Sequence, residues 1–324
     1  MFQRFDSESH EERRNRLMSM NTLGNVFDKV HEMSKTYHDK FIEVKEISFE
    51  SLETICISDE PHRLKPIAQM SISNRLGIPF NYLRKCPADI QRLNLNHWLL
   101  HEKNEKLFLR FNGNDVRAIF TPRYIPTDNI EVLDKLKSLD YPPETRVQSY
   151  ISDEFMMVNI PDGKQSFTVS GERMTPGISL SNSEVGLASL SIAAFVLRLV
   201  CTNGMISKTQ VSASYRHVSG KILNELPGVF NEISGELGKK RDQFRLSIES
   251  RVEHPEMTIE SFNSQFQLTK TEKHAVEWAL VLEYGQTMFH VINIYTKAAQ
   301  HPELSADSRY KLQKVGGTIL EMVK

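Results

Sequence analysis

The feature that most limits what this chain can fold into is Asn112-Gly113, set between two runs of β-forming residues in KLFLRFNGNDVRAIFTPRYIPTDN, residues 106–129. Asn and Gly tolerate φ > 0, so the pair closes tight hairpins between strands. With a two-residue loop, alternation puts Leu107, Leu109, Phe111, Val116, Ala118 and Phe120 on one face, the core. Phe108, Arg110, Arg117 and Ile119 then share the other; a three-residue loop would break this register. Like charges that close are unfavourable unless an acidic partner or an anion lies between them. Two readings follow: an Arg110–Asp115 cross-strand pair beside a solvated Arg117, or a nucleic-acid surface where arginines meet phosphates and an aromatic ring meets a base.

At 324 residues the chain can hold two or three domains or one extended core with helical additions. A formal net charge of −1 means that any nucleic-acid site has to be a local patch. No apolar run approaches the ~18 residues of a membrane span, and the polar opening MFQRFDSESHEERRNR lacks a signal peptide's apolar core, so a cytoplasmic protein is expected. Cys56, Cys86 and Cys201 are too few and scattered for a disulfide framework or zinc cluster, and read as buried thiols.

The first twenty residues read as frayed, and Leu23–Lys40 as helix-compatible. EVKEISF followed by LETICIS reads as one or two strands before a turn at Asp59-Glu60-Pro61. Short helices in Ile67–Leu100, broken at Ile78-Pro79 and Pro87, have the outline of a helix-turn-helix, although Pro87 would stop a recognition helix after about two turns. After the hairpin, Thr127-Asp128-Asn129 with Glu131 caps a short helix. RVQSYI, FMMVNIP, QSFTV and PGISLSN read as strands; the apolar run Ser189–Cys201 is either a strand or a buried helix. Beyond Ser219, Phe230, Ile233, Leu237, Phe244, Ile248 and Val252 keep near-heptad spacing interrupted by Arg241. Thr269–Glu272 forms a capping box that opens a long helix to Tyr295, apolar on more than one face and so either sandwiched or pressed against another subunit. A last helix spans Ala306–Val323, weakened by Gly316-Gly317. The expected class is α+β: a central antiparallel or mixed sheet with hairpin and helix, flanked by N- and C-terminal helical parts. The expected divisions are an N-terminal α/β region at 1–100, a β-rich core at 101–218 and a helical subdomain at 219–324.

Phosphate-loop, dinucleotide and nucleophile-elbow motifs are absent, and no cofactor is expected. His31-Glu32 with His38 has the wrong spacing for a zinc protease. Cys201 and His217 lack a local group that would activate the thiol. The turn carboxylates Asp115, Asp128, Asp153 and Asp162 need no metal to explain them. Charge distribution is more informative. Between Glu184 and Glu225 there is no acid, while Arg198, Lys208, Arg216 and Lys221 lie there with Tyr215 and His217. In residues 106–128 the acids are Asp115 and Asp128, against Lys106, Arg110, Arg117 and Arg123. Two acid-poor basic stretches with aromatics are what a local electrostatic groove would need, though a buried apolar run also excludes acids by itself.

NRLGIPFNYLRKCP and NLNHWL, then VRAIFTPRYIPTDN, then GISLSNSEVGLASLSIAAFVLRLVCTNGMI and YRHVSG, resemble the phage- and plasmid-borne family called domain of unknown function 932, from about Ile67 to the C-terminus. The resemblance implies a setting, mobile elements and proteins near DNA replication or recombination, and supplies no catalytic residue. The hairpin-plus-helix core also resembles the ring-forming single-strand annealing recombinases. The leading expectation is a single-stranded DNA-binding, ATP-independent annealing protein that forms a ring or filament. Arg110, Arg117, Arg123, Lys208, Arg216 and Lys221 would hold phosphates, and Phe108, Tyr124 and Tyr215 would stack on bases. The alternative is a non-enzymatic regulatory or anti-defence protein that binds duplex DNA or a protein partner through Ile67–Leu100. An enzyme with an unrecognised site is the third reading.

Overall fold

A computed structural model describes residues 20–137, 141–169, 172–198, 203–207, 213–215, 228 and 240–323. The expected fraying of the first twenty residues, the stripe members Phe230, Ile233 and Leu237, and the pair Cys201 and His217 lie outside the described residues, Met20 excepted. The fold is α+β, with two sheets and helical parts at both ends.

In chain order, β1 (Met20–Thr22) leads into α1 (Leu23–Ser34), and Thr22 caps α1 by accepting from the Asn25 amide. The helix stops before Lys40: Tyr37–Glu43 is a strand, β2, followed by β3 (Ile47–Phe49), β4 (Thr54–Ile57) and β5 (Glu60–Leu64). Helices α2 (Pro66–Arg75), α3 (Phe80–Leu83) and α4 (Ala88–Leu99) precede the hairpin of β6 (Lys106–Asn112) and β7 (Asp115–Phe120). Strands β2-β6-β7-β5-β4-β3 form one sheet, antiparallel except between β5 and β7. This sheet takes strands from both sides of Leu100, so a division at that residue would cut through its core. Helices α2 to α4 cover one face, where Ile72, Leu83, Leu95 and Leu99 pack on Leu107, Leu109, Phe111, Val116 and Ile119. The turn after α2 uses Gly77 at φ +70°, and α3 is a single turn, too short to serve as the recognition helix of a helix-turn-helix.

The hairpin closes with two loop residues, Gly113 at φ +56° and Asn114, because Asn112 pairs with Asp115. Its register then shifts: Arg110 pairs with Ala118 and Phe111 with Val116, leaving Arg117 as the extra residue of a β-bulge. The bulge reverses the expected parity beyond it. Ile119 joins the helix-covered core, while Ala118 and Phe120 share the opposite face with Phe108 and Arg110.

After α5 (Asn129–Lys137) come β8 (Arg146–Ile151), β9 (Met156–Pro161), β10 (Phe167–Val169), β11 (Glu172–Asn182), β12 (Leu190–Arg198), β13 (Asn203–Ser207) and β14 (Ala213–Tyr215). These and β1 form the second sheet, order β1-β8-β9-β11-β12-β13, with β10 on β11 and β14 on β12. The apolar run is thus a strand over Leu190–Arg198. It is buried on both faces: Ile192 and Ala194 pack with α1 and α5, while Phe195 and Leu197 meet Phe155 and Tyr310. Such two-sided burial removes the polar alternation that would have identified a strand in sequence.

Helices α6 (Lys240–Glu249), α7 (Pro255–Gln265), α8 (Lys270–Leu282), α9 (Met288–Ala298) and α10 (Ala306–Met322) build a third core. The Thr269–Glu272 capping box forms as expected, but the single helix expected to reach Tyr295 is two helices. A Cβ on Gly285, between them, would lie 2.2 Å from the His290 ring, so the chain folds back there closely. Helix α9 is buried along nearly its whole length, and α10 runs unbroken through Gly316-Gly317.

Gly177 in β11 faces Pro161 in β9, and a Cβ there would stand 2.1 Å from the Ile160 carbonyl oxygen. Gly177→Ala is expected to destabilise the protein by about 1–3 kcal/mol through overpacking, read as a lower urea midpoint with unchanged slope.

Candidate nucleic-acid interface

The hairpin arginines point away from solvent. Arg110 is 2% and Arg117 3% exposed, and each is tied to carboxylates. Arg110 donates through Nε to Asp39 at 3.0 Å, through Nη2 to Asp128, and through Nη1 to the Glu184 carbonyl at 3.1 Å. Burial by itself would lower its proton affinity; Asp128 and Asp39 outweigh that and push it up. Arg117 donates through Nη2 to Glu184 Oε2 and to the Asp153 carbonyl, both at 2.8 Å, and its guanidinium lies 3.6 Å from the Tyr37 ring centroid. Burial, partly opposed by Arg117, pushes the Tyr37 hydroxyl up to about 12.

Glu184 is the centre of this arrangement. Its Oε2 takes Arg117, its Oε1 accepts the Asn129 amide at 2.7 Å, and its carbonyl takes Arg110. Beside it, Asn182 donates to the Thr127 carbonyl and to Asn129 Oδ1, both at 2.9 Å, and Ser183 donates to the Glu154 carbonyl at 2.7 Å. The motif blocks VRAIFTPRYIPTDN and ISLSNSE are therefore partners that join the two sheets.

Both readings of the hairpin are corrected by this geometry. Arg110 pairs with Asp39 and Asp128 instead of Asp115, and Arg117 is buried instead of solvated. Neither is free for a phosphate, because moving either would leave a buried charge exposed to no compensating partner. Phe108 is buried as well, with its ring 5.8 Å from Tyr124, which stacks on Phe120 at 3.7 Å and donates to the Glu184 carbonyl at 3.4 Å. Burial pushes the Tyr124 hydroxyl up. Arg123 is exposed and has no carboxylate partner among the described residues. Tyr215 ends β14 opposite Leu190; Lys208, Arg216 and Lys221 lie outside the described residues.

Free positive charge gathers elsewhere. Between Glu60 and Glu102 the sequence has one acid, Asp89, against Arg63, Lys65, Arg75, Arg84, Lys85 and Arg92. The helix pattern of Ile67–Leu100 does not disclose this imbalance, but the distribution of charge in the sequence does. Lys65 is near Asp115 and Asp153, and Arg75 is paired with Glu102 at 2.6 Å. Arg84, Lys85, Arg92 and Lys103 are exposed, and no carboxylate among the described residues holds them. Two aromatic rings stand out with them, Tyr82 at 53% and Trp98 at 45% exposure. The His97, Trp98 and His101 rings cluster within 5.6 Å of one another at the end of α4. Beside α4 lies a groove of about 920 Å³ lined by Val44, Ile47, Leu93, His97 and Leu100, by the cations Lys45, Arg92, Lys103 and Lys106, and by the carboxylates Glu43, Glu102 and Glu105. Lys45 and Lys106 share Glu43.

Among the described residues, no cluster of three or more His, Cys, Asp or Glu side chains is arranged to hold a metal ion, and no helix is long and apolar enough to cross a membrane. Comparison with family models, curated proteins and solved structures finds no match.

Replacing Glu184 with Gln keeps its shape but leaves Arg117 without a counter-charge, so Glu184→Gln is expected to cost about 3–5 kcal/mol in urea unfolding. Asp39→Asn, where Arg110 retains Asp128, is expected to cost about 1 kcal/mol. Equal losses in the two variants would contradict this ranking.

Burial would raise the Glu102 carboxyl, but Arg75 and Asn104 outweigh it and hold it at about 2. Its folded value is below its unfolded one, so its contribution is complete above about pH 4.5 and disappears as pH falls through 2. Glu102→Gln is therefore expected to flatten the acid limb of the stability profile in that window.

Proposed function

We propose that this chain binds single-stranded nucleic acid on the α3–α4 surface and along the adjoining groove. The observation that carries the reading is the set of exposed cations without carboxylate partners, Arg84, Lys85, Arg92 and Lys103, beside the exposed rings of Tyr82 and Trp98. Unneutralised cations meet phosphates with release of counterions, and projecting aromatic faces suit unstacked bases better than a closed duplex. Arg123 is a further phosphate contact. Arg110, Arg117 and Phe108 drop out of the contact set and serve as framework. ATP-independent annealing of complementary strands is the activity such binding would serve. Membership of the domain of unknown function 932 belongs to the same proposal and rests on the sequence blocks quoted above.

Fluorescence anisotropy with a labelled oligothymidylate tests the binding. Tighter binding to the single strand than to duplex is expected, with a slope of log K against log salt of about −3.5 if all five cations each neutralise one phosphate. The Arg84→Ala/Lys85→Ala/Arg92→Ala protein, left with Lys103 and Arg123, should bind at least about tenfold more weakly with a slope of about −1.4, and Trp98→Ala should cost about 1–3 kcal/mol. Preference for duplex, or a triple variant that binds as the parent does, overturns the reading.

A further inference from the structure

Two histidines at the end of α4 have the spacing and the contacts of a metal-binding pair. His97 and His101 are four residues apart, the separation that sets two side chains one above the other on a helix. The regular helix ends at Leu99, but the coil continues past it: the His101 amide donates to the Trp98 carbonyl and the Glu102 amide to the Leu99 carbonyl, both at 3.0 Å. Both rings are exposed, so an ion reaches them from solvent without disturbing the core.

Their separation matches what a shared ion requires. A zinc ion sits about 2.0–2.1 Å from an imidazole nitrogen, roughly 3.2 Å from the ring centroid, so tetrahedral coordination holds two ligand rings about 5.2 Å apart. The His97 and His101 centroids are 5.4 Å apart, with the ring planes tilted by 53°. One tautomer is set as well. His101 Nδ1 lies 3.1 Å from the His97 carbonyl oxygen, which can only accept, so in the neutral ring Nδ1 carries the proton and Nε2 keeps its lone pair. A hydrogen bond from the other ring nitrogen to a backbone carbonyl is also what orients metal-ligating imidazoles. The Trp98 ring packs beside both, 5.2 Å from His97 and 5.6 Å from His101.

The donor atoms select the ion. Imidazole nitrogens suit zinc, copper and nickel, whereas magnesium and calcium take oxygen ligands. Among the described residues no third His, Cys, Asp or Glu joins the pair, so the remaining coordination positions would fall to water or an incoming ligand.

We propose that His97 and His101 form a two-histidine site for a divalent transition-metal ion of the zinc type. The inference does not depend on nucleic-acid binding, and its test is made without nucleic acid.

Calorimetric titration of the full chain with zinc chloride, in a buffer that does not complex the ion, reads the result. The tightest step for the parent should be one saturable equivalent, which magnesium chloride does not reproduce. His97→Asn and His101→Asn should each weaken that step at least about tenfold, because each leaves one ligand where two acted together. His254→Asn, at an exposed histidine just before α7, should leave it unchanged. Excess zinc should also raise the urea midpoint of the parent and of neither α4 variant, since the paired spacing exists only while the helix is folded. Each shift is taken against the same protein's metal-free midpoint, so lost ring packing does not imitate lost binding. A parent that takes up no zinc, or α4 variants that bind zinc or gain stability from it as the parent does, overturns the proposal and leaves only adventitious binding at other histidines.

Discussion

The carboxylate of Glu184 is the contact on which the arrangement of the two sheets depends. It lies in the loop after β11, yet it neutralises an arginine of the hairpin and accepts the first amide of α5, while its own carbonyl receives a second arginine. A buried guanidinium has a large desolvation penalty, and its partners must supply both charge and directed hydrogen bonds. Asp39, Asp128 and Glu184 do this from three separate elements, so the hairpin cannot shift against the larger sheet without exposing a charge to an apolar interior. The arginines are better regarded as joinery than as recognition groups.

A single extra residue makes this possible. Without the bulge at Arg117, strict alternation would carry Ile119 to the carboxylate side and Phe120 into the helix-covered core. With it, Ile119 completes the apolar layer and Arg117 turns toward Glu184, where Tyr37 covers the guanidinium. The energetic preference is plain: an isoleucine gains by leaving water, and an arginine can leave water only where counter-charges wait. The counter-charge of Arg117 stands 67 residues away, and those of Arg110 lie 71 residues before it and 18 after it in the chain.

The proposed working surface is carried by other elements. The α3–α4 region has cations, aromatic rings and the histidine pair on helices whose inner faces are anchored by Leu83, Leu95 and Leu99. A rigid core under this surface means that side chains there are presented without backbone reordering, which lowers the conformational cost of binding.

Sequence alone determined the elements whose signals are local. The Asn-Gly turn, the Thr269–Glu272 cap and the alternation of β6 each depend on residues within a few positions of one another, and each is found. The acid-poor stretch from Pro61 to His101 was equally legible, because net local charge requires no knowledge of the fold. Tertiary structure decided the fate of the charges. An arginine on a strand face has the same local pattern whether it meets a phosphate or a buried carboxylate, and only long-range packing brings Asp39, Asp128 and Glu184 to it. The bulge and the two-sided burial of β12 were decided in the same way, because each answers to neighbours distant in the chain instead of to any preference of the segment itself.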